Sequence, residues 1–427
     1  MIKKLINFIE ASPSPFHAVE TAKEMLAEAG FTELREAERW TIEKGGRYFV
    51  TRNQSSVAAF AVPANMEKTR FMIAAAHTDS PTFKIKDTPE LTSEDYVRIN
   101  AERYGGMIYD SWFDRPLSVA GRVIVRTESG VRSVLVDVDR DLLMIPHIAI
   151  HMENPNAGKE YNPASDLVPL FGDGKAKDGF MTIIAEAANV KPEDILAHEL
   201  FLVNRQKPAV WGKDGEFLSA PRLDDLECVF AATQAIIDAK PEGAVAFMLA
   251  ADNEEVGSQT KQGAGSTFAA DVMSRICEAM GDDFRSALAE SMMLSADNAH
   301  AVHPNAPALA DPTHRPKMNG GVVLKFAANQ KYTTDAVSAA VFRQICQRAD
   351  VPVQTFANRS DKLGGGTLGN ILTRSVSLSA VDIGLAQLAM HSSYETAGTR
   401  DAAYMVAAMK QFYESALIAQ DGEVTIR

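Results

Sequence analysis

Residues 70–81, Arg-Phe-Met-Ile-Ala-Ala-Ala-His-Thr-Asp-Ser-Pro, set an unbroken apolar run before His77 and Asp79. A run that does not alternate and is rich in small side chains predicts a strand buried on both faces, as in a parallel sheet covered by helices. Three further runs share the pattern. VAFMLAA (245–251) leads into Asp252-Asn253-Glu254-Glu255, MMLSA (292–296) into Asp297-Asn298-Ala299-His300, and VSLSAVDIG (376–384) is followed closely by His391. In an open α/β sheet, ligands gather at the carboxyl ends of the strands. Four clusters of metal-grade side chains are therefore expected to meet in one crevice.

Outward from these strands, IKKLINFIEAS and FHAVETAKEMLAEAG carry helical periodicity, the second ending at Gly30 as a C-cap. YFVTRNQSSVAAFAVP predicts a hairpin turning at Asn53-Gln54. Helices are expected from Asp224 to Asp238, Ala269 to Met280, Asp335 to Ala349 and Thr399 to Ile418, with a further strand in VVLKFA. Strands alternating with helices give an α/β fold, a mostly parallel sheet flanked by helices. Between residues 91 and 212 the texture changes. GRVIVRTESGVRSVLVDVD is two alternating runs joined at Glu128-Ser129-Gly130, a half-exposed antiparallel hairpin, and IPHIAIHMENPNAGKEYNP looks extended. This region is expected to be an inserted β-rich domain, with 1–90 and 213–427 forming the catalytic one.

The formal net charge of -13 excludes a nucleic-acid or anionic-membrane surface, since either would be repelled over most of the exterior. No stretch approaches the roughly 18 apolar residues of a membrane span, and the amino terminus lacks a signal-peptide core, so a cytoplasmic protein is expected. Cys228, Cys277 and Cys346 are too few and scattered for a disulfide framework or a thiolate zinc site, which fits a reducing compartment. Any metal must then be held by histidine and carboxylate.

A single aspartate after a strand is most often a helix N-cap, and a single histidine most often a hydrogen-bonded residue without a metal. Four clusters at one topological place outweigh that bland reading. Two imidazoles with several carboxylates suit Zn²⁺, Co²⁺ or Mn²⁺. More than four ligands suggests two ions about 3.5 to 4 Å apart, the arrangement of a hydrolase. Such a pair also needs a carboxylate that is not a ligand, to move a proton. Adjacent Glu254 and Glu255 suit that division of labour, although spacing alone does not say which is which. Competing motifs fail: Gly364 to Gly369 matches GxGxxG in form but the ANRSDKL before it is not a strand, and His198-Glu199 lacks the second histidine of HExxH.

HTDSP, PRLDDL, DNEEVGS, SADNAHAVHPN, NQKY and QLAMHSSYE, in that order, make the chain resemble the aspartyl aminopeptidase and aminopeptidase I family of dinuclear zinc exopeptidases over nearly its whole length. The resemblance implies that His77 and Asp297 hold one metal, Glu255 and His391 the other, and Asp224 bridges them. It makes Glu254 the general base and Asp79 the residue that orients the metal-binding histidine. His300, Lys325 and Tyr332 become substrate-contacting residues, and the lysine implies an acidic first residue on peptides with a free amino terminus. A lysine on VVLKFA would otherwise be read as a snorkelling surface residue. Of His147 and His151, the second matches most closely a histidine that reaches a neighbouring active site, within a tetrahedral dodecamer whose inserted domain makes the dimer contacts. The loop Arg359-Ser360-Asp361-Lys362, GGGTLG after it, and Asn298 and Asp225 depart from the family pattern, which bears on specificity. The alternatives are an aminopeptidase preferring neutral residues, a deacylase of small amides, or an oligomeric shell protein with a vestigial site.

Overall fold

The computed structural model describes residues 1–153 and 158–427; residues 154–157, part of the segment expected to be extended, lie outside the described residues. Its centre is a nine-stranded sheet. Across it the order is Thr32–Leu34, Arg47–Arg52, Ser56–Ala61, Val245–Ala251, Phe71–His77, Met292–Ala296, Ser379–Gly384, Val322–Phe326 and Val353–Ala357. Five of its eight pairings are parallel. The expected α/β architecture is thus present, and the FMIAAAH strand is buried at every position.

One face packs against helices Ile2–Glu10, Pro15–Glu28, Leu223–Asp238, Ala336–Arg348 and Asp401–Tyr413, the other against Phe268–Met280 and Phe284–Ala289. Phe247 lies between Phe60 and Phe71, with centroids 6.5 and 6.2 Å away. Each such fully buried phenylalanine contributes roughly 2 to 3 kcal/mol. The hairpin turns at Asn53 and Gln54, both at positive φ, as predicted.

A second, six-stranded antiparallel sheet holds Val131–Asp137, Leu117–Arg126, Ile195–Asn204, Thr82–Ser93, Tyr96–Tyr104 and Leu170–Asp173, with its own core around Phe83, Trp112 and Phe180. The hairpin expected over residues 121–139 forms here, closed by Thr127 N donating to Gly130 O at 3.0 Å. The boundary expected after residue 90 falls inside the strand Thr82–Ser93. A third sheet joins Glu395–Gly398 and Ala386–Leu388 to Phe217–Ala220, tying the far end of the chain to the entrance of helix Leu223–Asp238.

The closing helix is shorter than expected. It ends at Tyr413, and Leu417–Gln420 pairs with Glu423–Ile426 as a hairpin. Asp421 and Gly422 both adopt positive φ at its tip, the conformation that an Asp-Gly turn favours. No helix among the described residues is long and apolar enough to cross a membrane.

Candidate metal centre

Register brings the clusters together. Ala251 lies beside His77, and Ser295 beside Ala75, in parallel pairings, so three strands end at nearly the same level and release Asp252 onward, Thr78 onward and Asp297 onward into one space. Asp224 arrives from the entrance of the helix Leu223–Asp238, where Asp224 and Asp225 are non-helical and the peptide between them is cis. The N-cap position of that helix is occupied by Arg222.

His77 Nε2 lies 3.7 Å from Asp224 Oδ1, and His391 Nε2 lies 3.4 Å from Asp224 Oδ2 and 3.5 Å from Glu255 Oε1. Ligand atoms of His77, Asp224, Asp225 and Asp297 lie within 4.8 Å of one another. The same holds for His77, Glu254 and Glu255, and for Asp224, Glu255 and His391. One aspartate thus stands between two histidines that do not share a group. Asp224 Oδ1 and Glu255 Oε1 are buried without hydrogen-bond partners in the protein. Leaving carboxylate oxygens so is costly unless a cation meets them, and the donor set of imidazole and carboxylate suits a divalent ion. The residues fit such a group.

Asp79 organises rather than lines this space. Its Oδ1 accepts from Glu254 N at 3.0 Å, its Oδ2 from Glu255 N at 3.1 Å and from Tyr104 OH at 2.8 Å, while its backbone oxygen lies 3.0 Å from His77 Nδ1. The aspartate after one strand therefore sets the loop after the next. Glu254 is pushed up to about 7 by burial, with His77 opposing and Asp297 adding to the rise.

A cavity of about 320 Å³ opens here, lined by His77, Asp224, Glu254, Asp297, His391, His300, Lys325 and Tyr332, among others. Lys325 is buried, not snorkelling: Nζ lies 3.8 Å from Asp297 Oδ1, donates to Asn298 O at 3.0 Å, and sits 5.2 Å from the Tyr332 ring centroid. Burial works against its charge, yet Asp297 and its neighbours hold it above its ordinary value. The His300 ring meets Phe356 edge-on at 5.9 Å, and its basicity is lowered by burial and then by Lys325.

His147 and His151 do not line this cavity. His147 stacks on Phe113 at 3.9 Å, lies 2.6 Å from Asp114 and lines a separate space of about 490 Å³ on the six-stranded sheet, while His151 is exposed. Sequence reasoning missed Glu395. It is buried, accepts from Asp224 N at 3.0 Å and from His391 N at 2.8 Å, and is pushed up to about 8 by burial and then by Asp224. Its only sequence signal is its place four residues after His391. Asp225, whose Oδ2 accepts from His77 N at 3.2 Å, was read only as a flanking residue.

The model of the aminopeptidase I zinc metalloprotease family (M18) matches residues 8–413. The probable M18 family aminopeptidase 2 of Clostridium acetobutylicum is 45% identical over 423 residues, covering 96% of this chain and 98% of the relative. Among solved structures, a chain of the Ape4 and Nbr1 complex matches with a TM-score of 0.94 at 36% identity, over 97% of this chain and 85% of that one. The S. cerevisiae mApe1 dodecamer matches with a TM-score of 0.84 at 28% identity, over 96% of each chain.

Proposed function

Because the chain belongs to the aminopeptidase I (M18) family of zinc metalloproteases, we propose that this metallo-aminopeptidase removes acidic first residues from peptides with a free amino terminus, using two divalent ions. The observation that carries the proposal is Asp224 standing between His77 and His391, with an unpartnered Glu255 oxygen beside it and Lys325 across the cavity. His77 and Asp297 would hold one ion, Glu255 and His391 the other, and Asp224 both; zinc is the first choice, cobalt or manganese alternatives. Such ions supply polarisation of the scissile carbonyl and a water acidic enough to attack at neutral pH.

The chain's own groups do the rest. Glu254 lines the cavity and takes the water's proton, then delivers it to the leaving amine. Burial and surrounding charge set its pKa close to neutral, where a group both accepts and releases a proton readily. Asp79 fixes the loop that aims Glu254 and Glu255, and its backbone oxygen orients His77. Lys325, flanked by Tyr332 and His300, gives the first side chain's carboxylate a counter-charge.

Division into a catalytic domain and an inserted dimerisation domain is supported by the separate core of the six-stranded sheet. A dodecamer built from dimers is supported by the mApe1 likeness, and in it the exposed His151 is free to enter a neighbouring site. Three free, buried cysteines agree with a cytoplasmic setting. Rates on peptides differing only in the first residue test the specificity. Asp and Glu should exceed Leu by at least about tenfold, the effect of one charge-assisted contact, and a Leu preference would remove the Lys325 assignment.

A further inference from the structure

A second cavity of about 440 Å³ lies on the far side of the His300–Phe356 pair, and both residues line it as well as the metal-bearing cavity. One loop serves both: Arg359 and Lys362 line the outer space, and Gly365 and Gly366 the inner. The two spaces are neighbouring rooms with a shared wall.

The charge of the outer room departs from that of the molecule, which carries a formal net -13. Its walls present Arg359 and Lys362, beside the imidazoles of His303 and His314, against a single acid, Asp311. Asp311 is turned back on its own loop: one oxygen accepts from Thr313 N and His314 N, both at 2.9 Å, and lies 2.8 Å from His314 Nδ1. Arg359 is likewise engaged, with Asp361 at 2.5 and 2.6 Å and the Ala308 carbonyl at 2.6 Å. Lys362 has no ion-pair partner among the described residues, and it is exposed. The remaining surface is largely apolar, through Val302, Leu309 and Leu388.

We propose that this outer cavity is a subsite for the part of the peptide beyond the scissile bond, recognising a carboxylate there through Lys362. The proposal rests on the aminopeptidase reading above. Lys325 and Tyr332 are buried and close the inner room, so the first residue ends there. The rest of the peptide must run outward, past His300 and Phe356. A carboxylate just beyond the scissile bond has two sources, the side chain of an acidic second residue or the terminal carboxylate of a dipeptide.

The test uses the metal-loaded enzyme and four substrates sharing one first residue, whichever the wild type prefers: X-Ala, X-Ala-amide, X-Glu-amide and X-Gln-amide. The wild type should favour X-Ala over its amide, or X-Glu-amide over X-Gln-amide, by about tenfold in kcat/KM, chiefly through KM; which pair shows the preference identifies the source. In Lys362→Ala that ratio should fall to near one, and in Lys362→Glu it should invert, while Lys362→Arg should retain it. Equal rates across both pairs in the wild type, or ratios unmoved by Lys362→Glu, would overturn the subsite. Because the first residue is held constant, failure of the acidic-first-residue reading shows separately, in the ranking of first residues.

Discussion

At the scale of single residues, the proposed mechanism divides the work of Glu254 and Glu255 by position: Glu255 Oε1 faces His391 Nε2, while Glu254 faces the open cavity. Glu254→Gln keeps the shape and removes the base. Turnover should fall by about 10² to 10⁴ with bound metal unchanged, and wild-type rates from this variant would end the assignment. A second residue governs pH behaviour. His17, held by Ser14 Oγ at 2.8 Å, is lowered to about 4 by burial and then by Arg222. The folded state thus keeps His17 neutral where the unfolded chain, with its ordinary value of 6.5, binds a proton. This contribution is fully present above pH 6.5 and is lost as pH falls toward 4, reaching roughly 3 kcal/mol. Denaturant unfolding at pH 7 and pH 5 should show His17→Gln losing less stability than the wild type on acidification.

At the scale of elements, the strand ends carry the site because parallel register levels them. Gly384 shows how little slack that leaves: a Cβ there would meet Asp297 O at 2.0 Å, backbone that cannot swing aside. Gly384→Ala should therefore cost about 2 to 4 kcal/mol and push Asp297 from the cavity. A lowered Tm together with weaker metal retention checks it, and a normal Tm would show the strands free to part. The buried strands and their acidic ends were legible in the sequence because the unbroken apolar runs are short and each gives way to polar residues. The closing helix, expected to reach Ile418, stops at Tyr413, because Leu417 and Ile418 open a hairpin whose signal, Asp421-Gly422 between alternating residues, lies beyond the expected helix end. Nothing local showed that Glu395 would tie its own loop to that of distant Asp224, or that Lys325 would be buried; both depend on pairings between remote strands.

At the scale of the molecule, the buried carboxylates of the centre make metal a partner in stability as well as in reaction. Without a cation their mutual repulsion is offset only in part, by Lys325 and the two histidines. Chelation should lower Tm and abolish peptide hydrolysis together, and added Zn²⁺, Co²⁺ or Mn²⁺ should restore both. Bound metal at 100 times its Kd is worth about 2.7 kcal/mol. A melting curve indifferent to chelator would contradict the centre.

Glu395 has one more consequence, for the order in which the protein is made. It fastens the backbone of Asp224 to that of His391, across a sequence separation of 171 residues at the first contact and 4 at the second. A nascent chain that has emerged only as far as Gly384 already carries His77, Asp224, Glu255 and Asp297, yet lacks both His391 and the carboxylate that seats it. The two anchors of the centre's last loop, His391 and Glu395, thus join the assembly only after His77, Asp224, Glu255 and Asp297 are in place along the chain.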